Sequence, residues 1–361
     1  MAIETQESLR EHLQWAIQVE LSTIPTYLYA MYSIADDTSV PYRLIRSVAV
    51  EEMLHAALCA NVLAAIGGEP RFYDEDVVPS YPMALPHHEP ELVLDLERAS
   101  PAVIERVFMA IEQPREVSGL PEDDHYETIE QFYMAVEDAV DRLDGEEGLF
   151  GADRTDRQMR DPSYYAPVEY DSEESGGLIP VTDRESAAAA IDTIVHQGEG
   201  YRDHEYADPG HHELTHYYKF EQIADGTHPL GETRPVPTNP RTAEYPEHLR
   251  PAADLFNACY SYLFVLMDGL YSPIDPETKD DLIAELYGVM VAAMRPLARF
   301  LTRQPLAEGA VEHAAPTFEF YRFEDDPAEE LHRLADEVTD RNPELAHVHG
   351  SLVQLRGVER E

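Results

Sequence analysis

Six residues stand out by type and spacing: Glu20, Glu52, His55, Glu199, Glu213 and His216. Glu20 falls three residues after Ile17 and four before Ile24, inside an otherwise apolar helical stripe. Glu52 breaks a second stripe in the same way, four after Val48 and seven after Ile45, and His55 follows it at i+3. Burying an unpaired carboxylate costs several kcal/mol, so acids in such positions are expected to be paired or metal-bound. An i, i+3 spacing places Glu52 and His55 on one helix face, within reach of one ion.

The pair recurs late in the chain as Glu213-Leu214-Thr215-His216, preceded by Glu199 in His196-Gln197-Gly198-Glu199-Gly200. Glu, Glu-x-x-His, Glu, Glu-x-x-His on four helices is the donor order of di-iron and di-manganese carboxylate bundles. Four carboxylates neutralise two divalent cations, and each imidazole adds a nitrogen. In that scheme Glu52 and Glu213 bridge two iron or manganese ions. Glu20 with His55, and Glu199 with His216, are then the terminal ligands.

Two alternatives compete with parts of this scheme. His212-Glu213-Leu214-Thr215-His216 also matches the H-E-x-x-H helix of zinc hydrolases, a reading that leaves Glu20, Glu52 and His55 unexplained. Glu130 could replace Glu199 as the third-helix ligand, although it lies among Glu127, Glu137 and Asp138 on a polar face. Glu51, His204, Glu205 and His211 are supporting or surface groups; a metal-bound His donates its second N–H to a carboxylate, a part open to Glu51 or Glu205. Tyr27, Tyr29, Tyr217 and Tyr218 flank the ligands as core aromatics.

The elements that must hold these residues are helices. Apolar periodicity predicts helices over 5–34, 41–66, 100–112, 125–143, 182–198, 208–226, 248–268 and 277–303, with short helices in the tail. Ser8 with Glu11, and Thr182 with Glu185, read as capping boxes; Asp208-Pro209 reads as a helix start; Pro25 should kink the first helix. Residues 68–95 and 145–181 read as coil, and 229–251 as a stiff proline-rich segment. No strand alternation is evident. The gap of 14 residues between Glu199 and Glu213, against 32 between Glu20 and Glu52, puts the metals near one end of a bundle, under the loop 200–211.

At these residues the chain resembles the ferritin-like family named after the iminophenyl-pyruvate dimer synthases. The resemblance rests on LQWAIQVELSTIPTYLYAMYSI (13–34), VAVEEMLHAALCANVLAAIGGEP (48–70), VPSYPMALP (78–86), ETIEQFYMAV (127–136), AAIDTIVHQGEGYR (189–202) and HELTHYYKFEQI (212–223). It implies an all-α, ferritin-like four-helix bundle with a long crossover insertion and additional C-terminal helices. The expected organisation is a dimetal bundle over 1–226 including the insertion 71–181, a proline-rich linker and two packed helices over 227–305, and a charged tail with short helices over 306–361. It also implies a dimetal oxidoreductase using O₂ or peroxide on a small organic substrate, such as an amino-acid-derived imine in secondary metabolism. The competing class is iron handling, a ferroxidase or storage protein without an organic substrate, which would run as a cage-sized particle.

Composition bounds the partners. Of 361 residues, 71 are acidic and 26 basic, a net charge of −45 spread along the chain, while the 43% hydrophobic content suffices for a large core. Phosphate is repelled nearly everywhere, so neither nucleic acid nor anionic membrane is an expected partner. The expected partner is a small-molecule substrate, bound by a monomer or small homo-oligomer. Cys59 and Cys259 read as reduced core thiols. The polar start Met1 to His12 shows no signal peptide, and no apolar run was expected to reach the ~18 residues of a membrane span, so a cytoplasmic location is expected. All but two of the basic residues, Lys219 and Lys279, are arginine. This acid-rich, lysine-poor surface suits concentrated salt, which screens its self-repulsion. The urea-unfolding midpoint should therefore rise between low and multi-molar salt; an unchanged midpoint would refute a halophilic origin.

Overall fold

The computed structural model describes residues 3–114, 125–168, 176–198 and 214–355. Two long helices form its axis, α1 (Gln6–Ser33) and α2 (Val40–Ala65), joined by a short turn and packed along their lengths. The predicted stripes are the buried ones: Leu13, Ala16, Ile17, Ile24, Tyr27 and Met31 on α1, and Ile45, Val48, Ala49, Ala56, Cys59 and Val62 on α2. The α1 cap sits earlier than expected. Thr5, not Ser8, is the N-cap and accepts from the Ser8 amide at 3.1 Å. The helix runs on through Pro25. Ser39 caps α2 with Pro41 in its first turn, and the chain leaves α2 at Gly67, whose φ of +78° only glycine adopts without strain.

Among the described residues, four shorter helices surround this pair. Helix α3 (101–111) contains a π-helical stretch, Ile104–Phe108, between two α-turns. Helices α4 (Ile129–Glu147), α5 (Arg184–Gly198) and α6 (His216–Ala224) follow. Helices α4 and α5 pack on each other, α4 also against α1 and α5 against α2. Helix α6 packs against α2 and α3. The side chains show how the pairs divide the axis. Phe132 and Tyr133 of α4 meet His12, Glu20 and Cys59, whereas Phe108 of α3 and Phe220 of α6 enclose Tyr27 further along α1. Among the described residues, α4 and α5 thus flank one part of the axis, and α3 and α6 another. The α5 cap is Asp183 with Ser186, one residue on from the expected Thr182 and Glu185. Leu214 and Thr215 are not helical, so α6 begins at His216; the expected start at Asp208-Pro209 lies outside the described residues.

The rest of the chain wraps this core. Residues 68–98 form a strap carrying an unexpected antiparallel ladder, β1 (Met83–Ala84) with β2 (Val93–Leu94). Helix α7 (Arg250–Leu270) and the long α8 (276–301), again interrupted by a π-helical stretch at Gly288–Met294, lie beyond the proline-rich segment. They are tied to the axis by Tyr271, whose hydroxyl donates to the Ala57 carbonyl at 2.9 Å, and by Arg295 on Asp37 at 3.0 Å. The charged tail carries helices, as its sequence pattern predicts. Helix α9 (Pro327–Arg341) buries Leu331, Leu334, Ala335 and Val338 and packs on α7, and α10 (Ala346–Leu352) closes on α8. Both cysteines are buried and free.

One correction concerns α2. Alone among the described helices it is long and apolar enough to cross a membrane, with a mean hydropathy of 1.4 over 18 residues. The same window is 89% buried inside the protein, the demand placed on a central helix enclosed on all sides.

A buried Asn61 fastens the 145–181 region to α2. Its amide donates to the Met159 and Ile179 carbonyls at 2.7 and 2.9 Å, and its oxygen accepts from the Met159 amide at 2.9 Å. Asn61→Ala strands three backbone groups and should cost about 2–4 kcal/mol, read as a lower urea midpoint. A loss of only a few tenths would show that water replaces the clasp.

Candidate metal centre

Where the short helices meet, five side chains converge, all at most 3% exposed: Glu20, Glu52, His55, Glu112 and His216. They form two groups that share Glu52. Ligand atoms of Glu20, Glu52 and His55 lie within 4.8 Å of one another, as do those of Glu52, Glu112 and His216. The His55 and His216 rings stack between the groups, centroids 5.4 Å apart.

Each donor is held from behind. Tyr133 on α4 donates to Glu20, Thr23 to Glu52 at 2.9 Å, and Tyr27 to Glu112 at 2.5 Å. His55 directs Nε2 to the Gln197 side-chain oxygen on α5 at 2.8 Å, leaving Nδ1 to face Glu20 at 3.4 Å. His216 directs Nε2 to Glu51 at 2.8 Å and turns Nδ1 towards Glu52 at 3.0 Å and Glu112 at 3.4 Å. Both imidazoles thereby keep the same nitrogen free for the carboxylate cluster. Glu51 also accepts from Lys219 and Ser47, each at 2.5 Å.

Unneutralised, this cluster is electrostatically frustrated. Burial and the charges of Glu112 and Glu20 push the Glu52 carboxyl well above its ordinary range. Burial would raise Glu20 too, but the hydrogen bond and charge of His55 hold it below its usual value. His216 is disfavoured as a cation by burial, yet the charge of Glu112 and the bonds to Glu112, Glu51 and Glu52 raise it well above an ordinary imidazole. Burial would also lift Glu51, but the Lys219 charge and the His216 bond hold it at about 2. The shifts of Glu52 and His216 both favour positive charge or a proton at the place a cation would otherwise take. His216 Nδ1 points the same way: it is buried and lacks a well-directed hydrogen bond, although two carboxylates lie within 3.4 Å. Carboxylate oxygens around two imidazole nitrogens suit iron, manganese or zinc, so the residues present fit a metal.

Four of the six residues singled out by spacing are brought together here, Glu20, Glu52, His55 and His216. Glu199 and Glu213 lie outside the described residues, as do His204, Glu205, His211 and His212. Because α6 begins at His216, the late Glu-x-x-His does not lie on one continuous described helix, nor does the H-E-x-x-H reading that overlaps it. Glu130 is half-buried in the first turn of α4 and belongs to neither group. Glu51 takes the supporting place open to it. Tyr29 donates to the Pro237 carbonyl, and Tyr217 and Tyr218 meet edge to face, ring centroids 5.4 Å apart. Glu112 is the residue missed. Its signal was the one that exposed Glu20: it stands four after Phe108 and eight after Ile104, an acid closing an apolar stripe.

The sequence model of the ferritin-like family matches residues 13–225, a span that contains every residue of the cluster. The chain belongs to the ferritin-like family. Within it, the chain is 27% identical to dichlorochromopyrrolate synthase of Lentzea aerocolonigenes, over 88% of this chain and 36% of that enzyme. It is 25% identical to 2-imino-3-(indol-3-yl)propanoate dimerase of Chromobacterium violaceum, over 84% of this chain and 33% of the relative. It thus spans about a third of the length of these two relatives. A ferritin-like protein from Caulobacter vibrioides, solved at 1.95 Å, superposes with a TM-score of 0.59 at 27% identity, covering 80% of this chain and 96% of that one.

The cluster raises the proton affinity of Glu52 and His216, so a divalent cation entering it competes with protons. Calorimetric titration in buffers of different ionisation enthalpy should show net proton release, with apparent affinity rising with pH. Affinity independent of pH would place the metal elsewhere.

Proposed function

We propose that this ferritin-like chain is a dimetal-carboxylate oxidoreductase, with O₂ or peroxide as oxidant and a small organic molecule as substrate. The observation that carries this reading is the sharing of Glu52: one buried carboxylate belongs to two donor groups, each completed by its own Glu and His. Glu20 and His55 would hold one ion, Glu112 and His216 the other, and Glu52 would lie between them. Iron or manganese bound there supplies redox chemistry and a Lewis acid. The chain supplies the rest. Tyr27, Tyr133 and Thr23 fix the carboxylates from behind, Gln197 and Glu51 fix the imidazoles, and burial keeps bulk water from the centre. Glu52 and His216, whose proton affinity the cluster raises, are the groups where an entering cation would compete with a proton. The name of the second relative, a 2-imino-3-(indol-3-yl)propanoate dimerase, supports an amino-acid-derived imine as the substrate class.

Elemental analysis of anaerobically purified protein tests the reading. The wild type should carry about two iron or manganese ions per chain. Glu52→Ala should lose both, whereas Glu112→Ala should keep about one, held by Glu20, Glu52 and His55. Fewer than two ions in the wild type, or an unchanged content in Glu52→Ala, would refute a shared centre.

A further inference from the structure

The chain has only two lysines, and one of them, Lys219, is fully buried beside the cluster. Its ammonium lies 2.5 Å from Glu51 Oε2 and 3.2 Å from the Ser47 hydroxyl. Glu51 directly precedes Glu52 and is itself 1% exposed. Its two oxygens are filled by donors: Ser47 on Oε1, Lys219 and His216 Nε2 on Oε2. A buried carboxylate seeks the nearest cation. Beside a dimetal centre, that cation would be a metal unless another charge intervened.

We propose that Lys219 is a positioning residue that keeps Glu51 out of the metal's coordination and reserves it as the acceptor for His216. This rests on the dimetal reading above. With Nε2–H given to Glu51, the neutral His216 ring must present the lone pair of Nδ1 to the site between Glu52 and Glu112. The lysine on α6 therefore decides which of the adjacent acids Glu51 and Glu52 is the ligand. The same helix carries Lys219 and, one turn earlier, the imidazole that Glu51 orients.

Cobalt(II) substitution reads this without turnover, through the visible absorption of the bound ion and its affinity against a competing chelator. Lys219→Met should change the cobalt spectrum, because the released Glu51 enters the coordination. Adding Glu51→Gln to it should remove that change, since a neutral amide does not compete for the ion. Glu51→Gln alone should keep the wild-type pattern of bands and weaken binding by about 10–100-fold, the usual effect of losing a carboxylate behind a ligating His. A folded Lys219→Met with wild-type spectrum and affinity overturns the inference, as does a double variant that keeps the altered spectrum. If Lys219→Met does not fold, Glu51→Gln and the double variant carry the test, and wild-type affinity in both overturns it. A wild-type chain that binds no cobalt at the cluster overturns the dimetal reading as well.

Discussion

Negative charge held in an apolar helix bundle is the constraint around which this protein is organised. Glu20, Glu51, Glu52 and Glu112 lie within the core, each at most 3% exposed, with the buried Lys219 ammonium paired to Glu51. Each such carboxylate is tolerable only with donors or positive charge against it. The surroundings meet that need from every side: phenols from α1 and α4, a hydroxyl from α1, imidazoles from α2 and α6, an amide from α5. Remove the converging charges and there is no physical reason for so many polar groups to meet at the middle of the bundle.

The divided helices follow from the same demand. A continuous third or fourth helix would offer the centre only side chains from its middle. Helix ends at the centre offer terminal residues as well, and Glu112, Gln197 and His216 all sit at the ends of described helices. The π-helical stretch Ile104–Phe108 lies one turn before Glu112, an irregularity of a kind frequent beside functional sites. The halves of α1 and α2 are then enclosed separately, by α4 with α5 and by α3 with α6.

Much of this was legible in the residues. An acid interrupting an apolar stripe marked Glu20 and Glu52, and both helices bury the stripes that periodicity assigned. Glu112 escaped because it closes its helix beside Gln113 and Pro114, where an acid reads as the start of a loop. The late Glu-x-x-His has only its histidine among the described residues: α6 begins at His216 behind an extended Thr215, and Glu213 lies outside them. The capping errors are local. Ser8 and Thr182 were plausible caps by residue type, but Thr5 and Asp183 occupy the positions where the chain turns into the helix. Lys219 was seen only as one of two lysines, since nothing in the spacing joins it to Glu51 across separate helices.

The burial of α2 also governs the order in which the chain can complete itself. The helix is apolar enough to pass for a membrane span, and Tyr271, which closes on its Ala57 carbonyl, is made 214 residues later. At synthesis rates of 5–20 residues per second, that separation leaves the nascent helix without this cover for roughly 10–40 s. Glu51 and Glu52 sit together inside it, and an acid at the centre of a span opposes insertion by about 2.5–3.5 kcal/mol. The carboxylates that organise the finished core thus also make membrane insertion of the unfinished helix less favourable.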